Sequence, residues 1–345
     1  MMRHDPAWSG EKGEGVKTQF DIGVLPQGAV EESVQLMAAA EELGFGGVWV
    51  ADSQSIFRDA YVTLALGALR TRRLMLATGV TNPVTRHPAA IACSIATIDE
   101  MSGGRAVLGI GTGFSAVRTL GLKPASLKSL EEATHTLRAL MACQPAVYAG
   151  KEIRMTWPAR SVPIYFAASG PKSLHLAGRI ADGVLFQVGS EPALVRQAIE
   201  RVHAGAREAG RDPKDVKLCV RLGCSVSHDR QAALEEARPY AAAAAETVFQ
   251  SNPEDTLPPD LAADLKRLQE HYNYYQHVNQ QASHGDLVTD RIVEAMVVAG
   301  TPEEVIPRFR AILGVGVDRV VIPLTTREPA ALLRTLAEEV IPQLT

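Results

Sequence analysis

From residue 20 on, eight short apolar, β-prone runs punctuate longer segments of helical period, and this rhythm restricts the fold more than any motif. The runs are FDIGVLP, GVWVAD, LMLATGV, AVLGIGTG, PIYFAAS, GVLFQVG, VKLCVRLGCSV and RVVIPLT, starting at residues 20, 47, 74, 106, 163, 183, 216 and 319. Helical segments are expected at 29–43, 60–69, 89–101, 127–142, 172–180, 192–209 and 230–249, in PEEVIPRFRAIL before the last strand, and at 329–344 after it. Strands this uniformly apolar are buried on both faces, and right-handed crossovers make them parallel. The expectation is an α/β fold, a (β/α)8 TIM barrel, in one domain over 20–345 behind a flexible leader at 1–19. Two stretches break the rhythm: an excursion at 145–162, read as a hairpin, and a polar insertion at about 250–290.

One motif competes with this reading. Gly111-Thr112-Gly113-Phe114-Ser115-Ala116 fits G-x-G-x-x-A, and Glu131 or Glu132 follows at the distance a dinucleotide fingerprint asks for. The match ends the fourth unit, however, and the glutamates belong to a helix carrying Leu127, Leu130, Leu137 and Leu140. A ribose acceptor belongs at the tip of the next strand. A two-domain Rossmann enzyme would also interrupt the alternation near mid-chain. Glycine at a barrel strand end instead leaves room for a ligand.

Thirty-five Lys and Arg against 39 Asp and Glu give a formal charge of −4, which points to neither nucleic acid nor a polyanion as partner. No apolar run is long enough to cross a membrane, and residues 1–19 have no signal-peptide core. Cys93, Cys143, Cys219 and Cys224 form no C-x-x-C and read as reduced core thiols of a cytoplasmic protein. Cys219 and Cys224 fall on one expected strand, on opposite faces.

Barrel chemistry sits where strands end. Those ends offer Pro26-Gln27, Asp52-Ser53, the run Gly79, Val80, Thr81, Asn82 and Pro83, then Gly111, Thr112, Gly113 and Phe114, then Ser169, Gly170, Pro171 and Lys172, and finally Gln187 and Gly189. Ser169 is expected to cap a helix starting near Pro171, whose free N–H groups and Lys172 suit a phosphate; an ordinary capped helix is the alternative. There is no H-E-x-x-H, no zinc spacing and no G-x-S-x-G. His271, His277 and His284 are read as surface or lid residues. A mouth of glycines, hydroxyls and amides suits a large planar cofactor that brings its own reactivity.

Four stretches carry a resemblance: GFGGVWVAD, GVTNPVTRHPAAIACSIATIDEMSGGRAVLGIGTG, ASGPKSLHLAGRIADGV and VAGTPEEVIPRF. In them the chain resembles the luciferase-like monooxygenase superfamily, in its methylenetetrahydromethanopterin reductase branch. The resemblance implies a barrel holding coenzyme F-420, the first reading, or FMN, with hydride transfer at C5 of a deazaflavin or N5 of a flavin. It implies a non-proline cis peptide at Gly79–Val80. Asp52 would meet the ring's polar edge, and Thr81 and Asn82 would line the ring. Gly111, Thr112 and Gly113 would pass beneath it. Ala168, Ser169, Gly170, Pro171 and Lys172 would hold the phosphate, with Gln187 nearby.

Two positions depart from the family's deazaflavin-dependent dehydrogenases: Ser53 replaces a histidine and Phe114 a carboxylate. Neither moves a proton near neutral pH as the replaced residue would, so sugar or alcohol dehydrogenation is not expected. Ser53, Phe114 and Tyr275 are the candidate pocket residues, and Phe114 hints at a substrate with an apolar or aromatic portion. The tyrosine- and histidine-rich HYNYYQHVNQQASH reads as a lid or as a solvated connector. The readings are a cofactor-dependent reductase, an FMN monooxygenase using dioxygen, and a cofactor-binding barrel without turnover. The family is often dimeric through the second and third helices, here the apolar YVTLALGAL and AAIACSIATI, so a homodimer is expected.

Overall fold

The structure, a computed structural model, describes residues 18–157, 160–251 and 259–344. Most of the expected leader, and residues 252–258 of the expected insertion, lie outside these residues; the first strand begins at Gln19.

Eight parallel strands close into a barrel, in the ring order β1 (Gln19–Val24), β2 (Gly47–Val50), β3 (Met75–Thr78), β4 (Ala106–Ile110), β7 (Ile164–Ala168), β8 (Gly183–Phe186), β9 (Lys217–Arg221) and β12 (Arg319–Pro323). The excursion is an antiparallel hairpin of β5 (Ala146–Tyr148) and β6 (Lys151–Ile153). Chain contacts gather into two compact units, up to Tyr165 and from Phe166 onward.

In the first unit α1 (Val30–Glu42), α2 (Ala60–Arg70), α3 (Pro88–Ser102) and α5 (Leu127–Met141) follow their strands, and a short α4 (Ser115–Arg118) follows β4. Asp59 caps α2 by accepting from the Tyr61 and Val62 amides. Gly103, at φ 68°, ends α3 in the left-handed region. Arg105 is buried, yet its guanidinium donates to the carbonyls of Ala68, Thr71, Leu74 and Ser102 and to the Thr71 hydroxyl. It thereby satisfies carbonyls at the ends of α2 and α3 that the helices cannot satisfy themselves.

In the second unit α6 (Pro171–Ile180) and α7 (Pro192–Glu208) follow β7 and β8, and the long α8 (Arg230–Ser251) precedes α9 (Pro259–His271) and α10 (Asp290–Met296). α11 (Pro302–Leu313) leads to β12, and α12 (Pro329–Thr335) follows it. The expected last helix is regular only over α12. Beyond it the chain takes a π turn and a 3-10 turn, because Pro342 lacks the N–H that a regular helix would use there.

The expected seventh strand, 216–226, is two strands. The Leu222 amide still bonds to Val321 O, but from Gly223 the pairing passes to a new partner: β10 (Gly223–Val226) lies parallel to β11 (Val297–Gly300) outside the barrel. A Cβ at Gly223 would lie 2.2 Å from the Tyr240 ring, so only glycine lets the chain turn there against α8. Cys219 and Cys224 therefore sit on different strands. They are the buried pair, whereas Cys93 and Cys143 are exposed, so only half of the thiols are core thiols.

Candidate cofactor site

Asp52, two residues past β2, is buried, and both its oxygens are already engaged. Arg86 Nε donates to Oδ2 at 2.9 Å and its NH2 to Oδ1 at 3.1 Å; the same NH2 donates to Asp59 Oδ2 at 2.7 Å. The guanidinium lies over the Tyr61 ring, 4.8 Å from its centroid. Partial burial pulls the Arg86 pKa down, but its bonds to Asp52 and Asp59 outweigh this and raise it. Burial pushes the Asp59 carboxyl up, and the Arg86 bond with the Val62 and Tyr61 amides brings it below its ordinary value. Burial raises the Tyr61 phenol further above its usual range.

At the end of β3 the Gly79–Val80 peptide is cis, at the bond the resemblance named. Thr81 continues the pairing with β4: its amide donates to Gly109 O, and its carbonyl accepts from Gly111 N. Its side chain is fully buried. Thr81 Oγ1 and the neighbouring Tyr61 Oη find no well-directed hydrogen-bond partner. Asn82 is spent on the turn after it, Oδ1 accepting from Val84 N, Thr85 N and Thr85 Oγ1. At the end of β4, Gly111 is buried, Thr112 O accepts from Ala125 N, and Gly113 has a φ of 95°. Phe114 is half-buried and opens α4. Ser53 is buried and meets Ser115, Oγ to Oγ at 2.6 Å.

In the second unit Ala168 is buried at the end of β7, and Ser169 does not cap α6. Gly170 does, in an extended conformation and with no side-chain bond, and Pro171 is the first helical residue. The residue before proline is driven to extended backbone, which moves the cap one position on. The first amides of α6 thus receive no hydrogen bond from a capping side chain. A Cβ at Gly170 would lie 2.7 Å from Ser251 O, at the end of α8. Lys172 is exposed. Gln187, just past β8, accepts the Tyr240 hydroxyl at 3.0 Å.

The insertion is more ordered by hydrogen bonds than its sequence suggests. Of the three histidines expected at the surface or in a lid, His271 is exposed, whereas His277 is half-buried and His284 is 1% exposed, so the surface reading does not hold for those two. Tyr272 Oη and His277 Nδ1 are 2.6 Å apart, and the Tyr272 ring packs on His284. Tyr274 donates to Glu246, a buried carboxylate on alanine-rich α8. Gln280 donates to Thr325 O, just past β12. Burial, then Arg221 and His284, pushes His277 down to about 3; burial, then Glu246 and Tyr274, raises Tyr272. Both stay neutral at pH 7. Tyr275 is 65% exposed.

A sequence model of the luciferase-like monooxygenase family matches residues 14–319. The chain belongs to that family. Within the family it is 33% identical to a 5,10-methylenetetrahydromethanopterin reductase of Methanolobus tindarius, over 88% of this chain and 93% of that one. It is 30% identical to a coenzyme F-420-dependent glucose-6-phosphate dehydrogenase of Nakamurella multipartita, over 91% and 92%. A solved coenzyme F-420-dependent tetrahydromethanopterin reductase from Methanopyrus kandleri superposes with a TM-score of 0.80 at 25% identity, covering 95% of this chain and 100% of that one.

Sequence reasoning missed Arg86, Asp59, Tyr61 and Ser115. A buried aspartate needs a cationic or amide partner, and Arg86, two residues before the proline that opens α3, was within reach of that argument. Ser115 gave no such signal. Among the described residues no group of three or more His, Cys, Asp or Glu is placed to hold a metal, and no helix is long and apolar enough to cross a membrane.

Proposed function

We propose that this luciferase-like family member is an oxidoreductase that binds coenzyme F-420 and transfers a hydride between it and a small organic substrate. The observation that carries this is full-length similarity to proteins whose names specify coenzyme F-420, at 30% identity in sequence and at a TM-score of 0.80 in structure. The residues present fit the group. Thr81 holds a buried hydroxyl without a partner at the end of β3, and α6 begins without a side-chain cap. A ring with a polar edge suits the first, and a phosphate the second.

When bound, the deazaflavin supplies a carbon centre, C5, that exchanges hydride with a substrate. The protein's part is to hold and orient. Asp52 and Thr81 would meet the ring edge, and Asn82 would shape the turn beside it. Gly111, Thr112 and Gly113 would give the ring backbone to lie against. Ala168, Ser169, Gly170, Pro171 and Lys172 would hold the phosphate, with Gln187 nearby. Ser53 and Ser115 offer hydroxyls and no titrating group, which favours reduction of a polarised double bond over alcohol oxidation. Phe114 suits a substrate with an apolar portion.

FMN with dioxygen is the second reading, favoured by the family's description as monooxygenases. Titration of the purified protein with each cofactor, followed by absorbance, separates the two. Coenzyme F-420 is expected to bind with a dissociation constant well below about a millimolar. If neither cofactor binds, the proposal fails. Gly170→Val is expected to weaken binding at least tenfold, since its side chain would collide with Ser251 O; unchanged affinity would mean the phosphate lies elsewhere. Val62, Leu66 and Leu69 form an exposed apolar stripe on α2, and this supports a homodimer. Four cysteines, none of them in a disulfide, support a cytoplasmic setting.

A further inference from the structure

The polar groups behind Asp52 and Thr81 converge on one side chain. Arg86 grips both oxygens of Asp52 and one oxygen of Asp59, while Asp59 uses its other oxygen to cap α2. The face of the guanidinium rests on Tyr61, and the Tyr61 hydroxyl is the neighbour of Thr81. Arg86 itself sits on the β3–α3 segment that carries Thr81 and Asn82. One guanidinium thus joins the segment after β2, the start of α2 and the segment after β3.

We propose that Arg86, backed by Tyr61 and Asp59, is a positioning residue that fixes Asp52 and Thr81 for the polar edge of a bound deazaflavin ring. This rests on the coenzyme F-420 reading above. A carboxylate held in a bidentate fork keeps one orientation, which a lone surface aspartate does not. The arrangement also sets the local charge. Asp52, Asp59 and Arg86 are the charged groups facing one another, and Tyr61 is neutral, so the cluster carries one net negative charge. An anionic ring beside it depends on the Arg86 cation.

The test uses coenzyme F-420 as probe, because its ring hydroxyl ionises with a change in absorbance. Dissociation constants and the pH midpoint of the bound chromophore are measured for the wild type, Arg86→Gln, Arg86→Lys and Asp59→Asn, with thermal unfolding of each. Arg86→Gln removes the positive charge, so binding is expected to weaken about tenfold and the midpoint to rise by about one unit. Asp59→Asn removes a negative charge and keeps an efficient cap, so the midpoint is expected to fall. Arg86→Lys keeps the charge but not the fork, so the midpoint is expected to stay near that of the wild type while affinity drops severalfold. Equal midpoints in all four proteins, with lower melting temperatures alone, would reduce Arg86 to a structural role and overturn the proposal. Should Arg86→Gln fail to fold, the different midpoints expected of the other two variants, lowered for Asp59→Asn and unchanged for Arg86→Lys with its severalfold loss of affinity, still decide it. Absence of F-420 binding to the wild type would instead sink the cofactor reading, and this inference with it.

Discussion

Two polar networks in this molecule achieve order by opposite means. The one around Asp52 is ionic: two carboxylates and a guanidinium within 3.1 Å, built from residues 52 to 86. The one around Tyr272 is neutral in its aromatic part: a phenol and two imidazoles, with His277 held down at about 3 and Tyr272 raised. In the first, each charge faces an opposite one across a short hydrogen bond. The second excludes charge from its rings, so its weak point is acid. Charge pairing suits a site that must meet a polar ring edge. A neutral network suits a segment whose task is to stay folded against α8 and the end of β12.

The sharpest way to break this contrast is Asp52→Ala. It leaves Arg86 half-buried with Asp59 alone and is expected to cost about 2–3 kcal/mol of stability in urea unfolding. A loss below about 0.5 kcal/mol would mean that water or Asp59 replaces Asp52 freely. Next comes pH. His277 binds a proton more readily in the unfolded chain, near 6.5, than in the folded one, near 3. Its contribution is therefore intact above about pH 6.5 and is lost as pH falls toward 3, by at most about 1.4 kcal/mol per pH unit. Melting temperature is expected to fall between pH 7 and 5, and His277→Asn to flatten that slope. Equal slopes in both proteins would show the imidazole to be water-accessible. The smallest effect belongs to Ser169→Ala: with the cap at Gly170, stability is expected to change by less than about 0.5 kcal/mol.

The barrel was legible because its strands are buried on both faces, and that burial writes itself as continuous apolar runs. The split at Leu222 was not. VKLCVRLGCSV stays apolar across it, and only the contact of Gly223 with Tyr240, 17 residues on, reveals the turn. Asp52 and Thr81 were legible as strand-end residues, but their supports were not. Arg86 lies on the segment before α3 and Tyr61 in the first turn of α2, where charge and aromatics usually signal surface. Ser169 misled because a serine two residues before a proline looks like a cap until the constraint on the pre-proline residue, Gly170, is applied. The surface reading of His277 and His284 misled because their spacing fits no helix, and the chain brings them inward through turns instead.

The small β10–β11 pair has a consequence for how this protein can diversify. Val226 pairs with Gly300 and Gly223 with Val297, so the long path through α8, α9 and α10 leaves one end of this parallel two-stranded clasp and returns at the other. Residues added to or removed from the loops of that path need not spread the clasp, and each doubling of a flexible loop costs only about 0.6 kcal/mol. Length changes in that connection are thus expected to leave the pairing of the two strands intact.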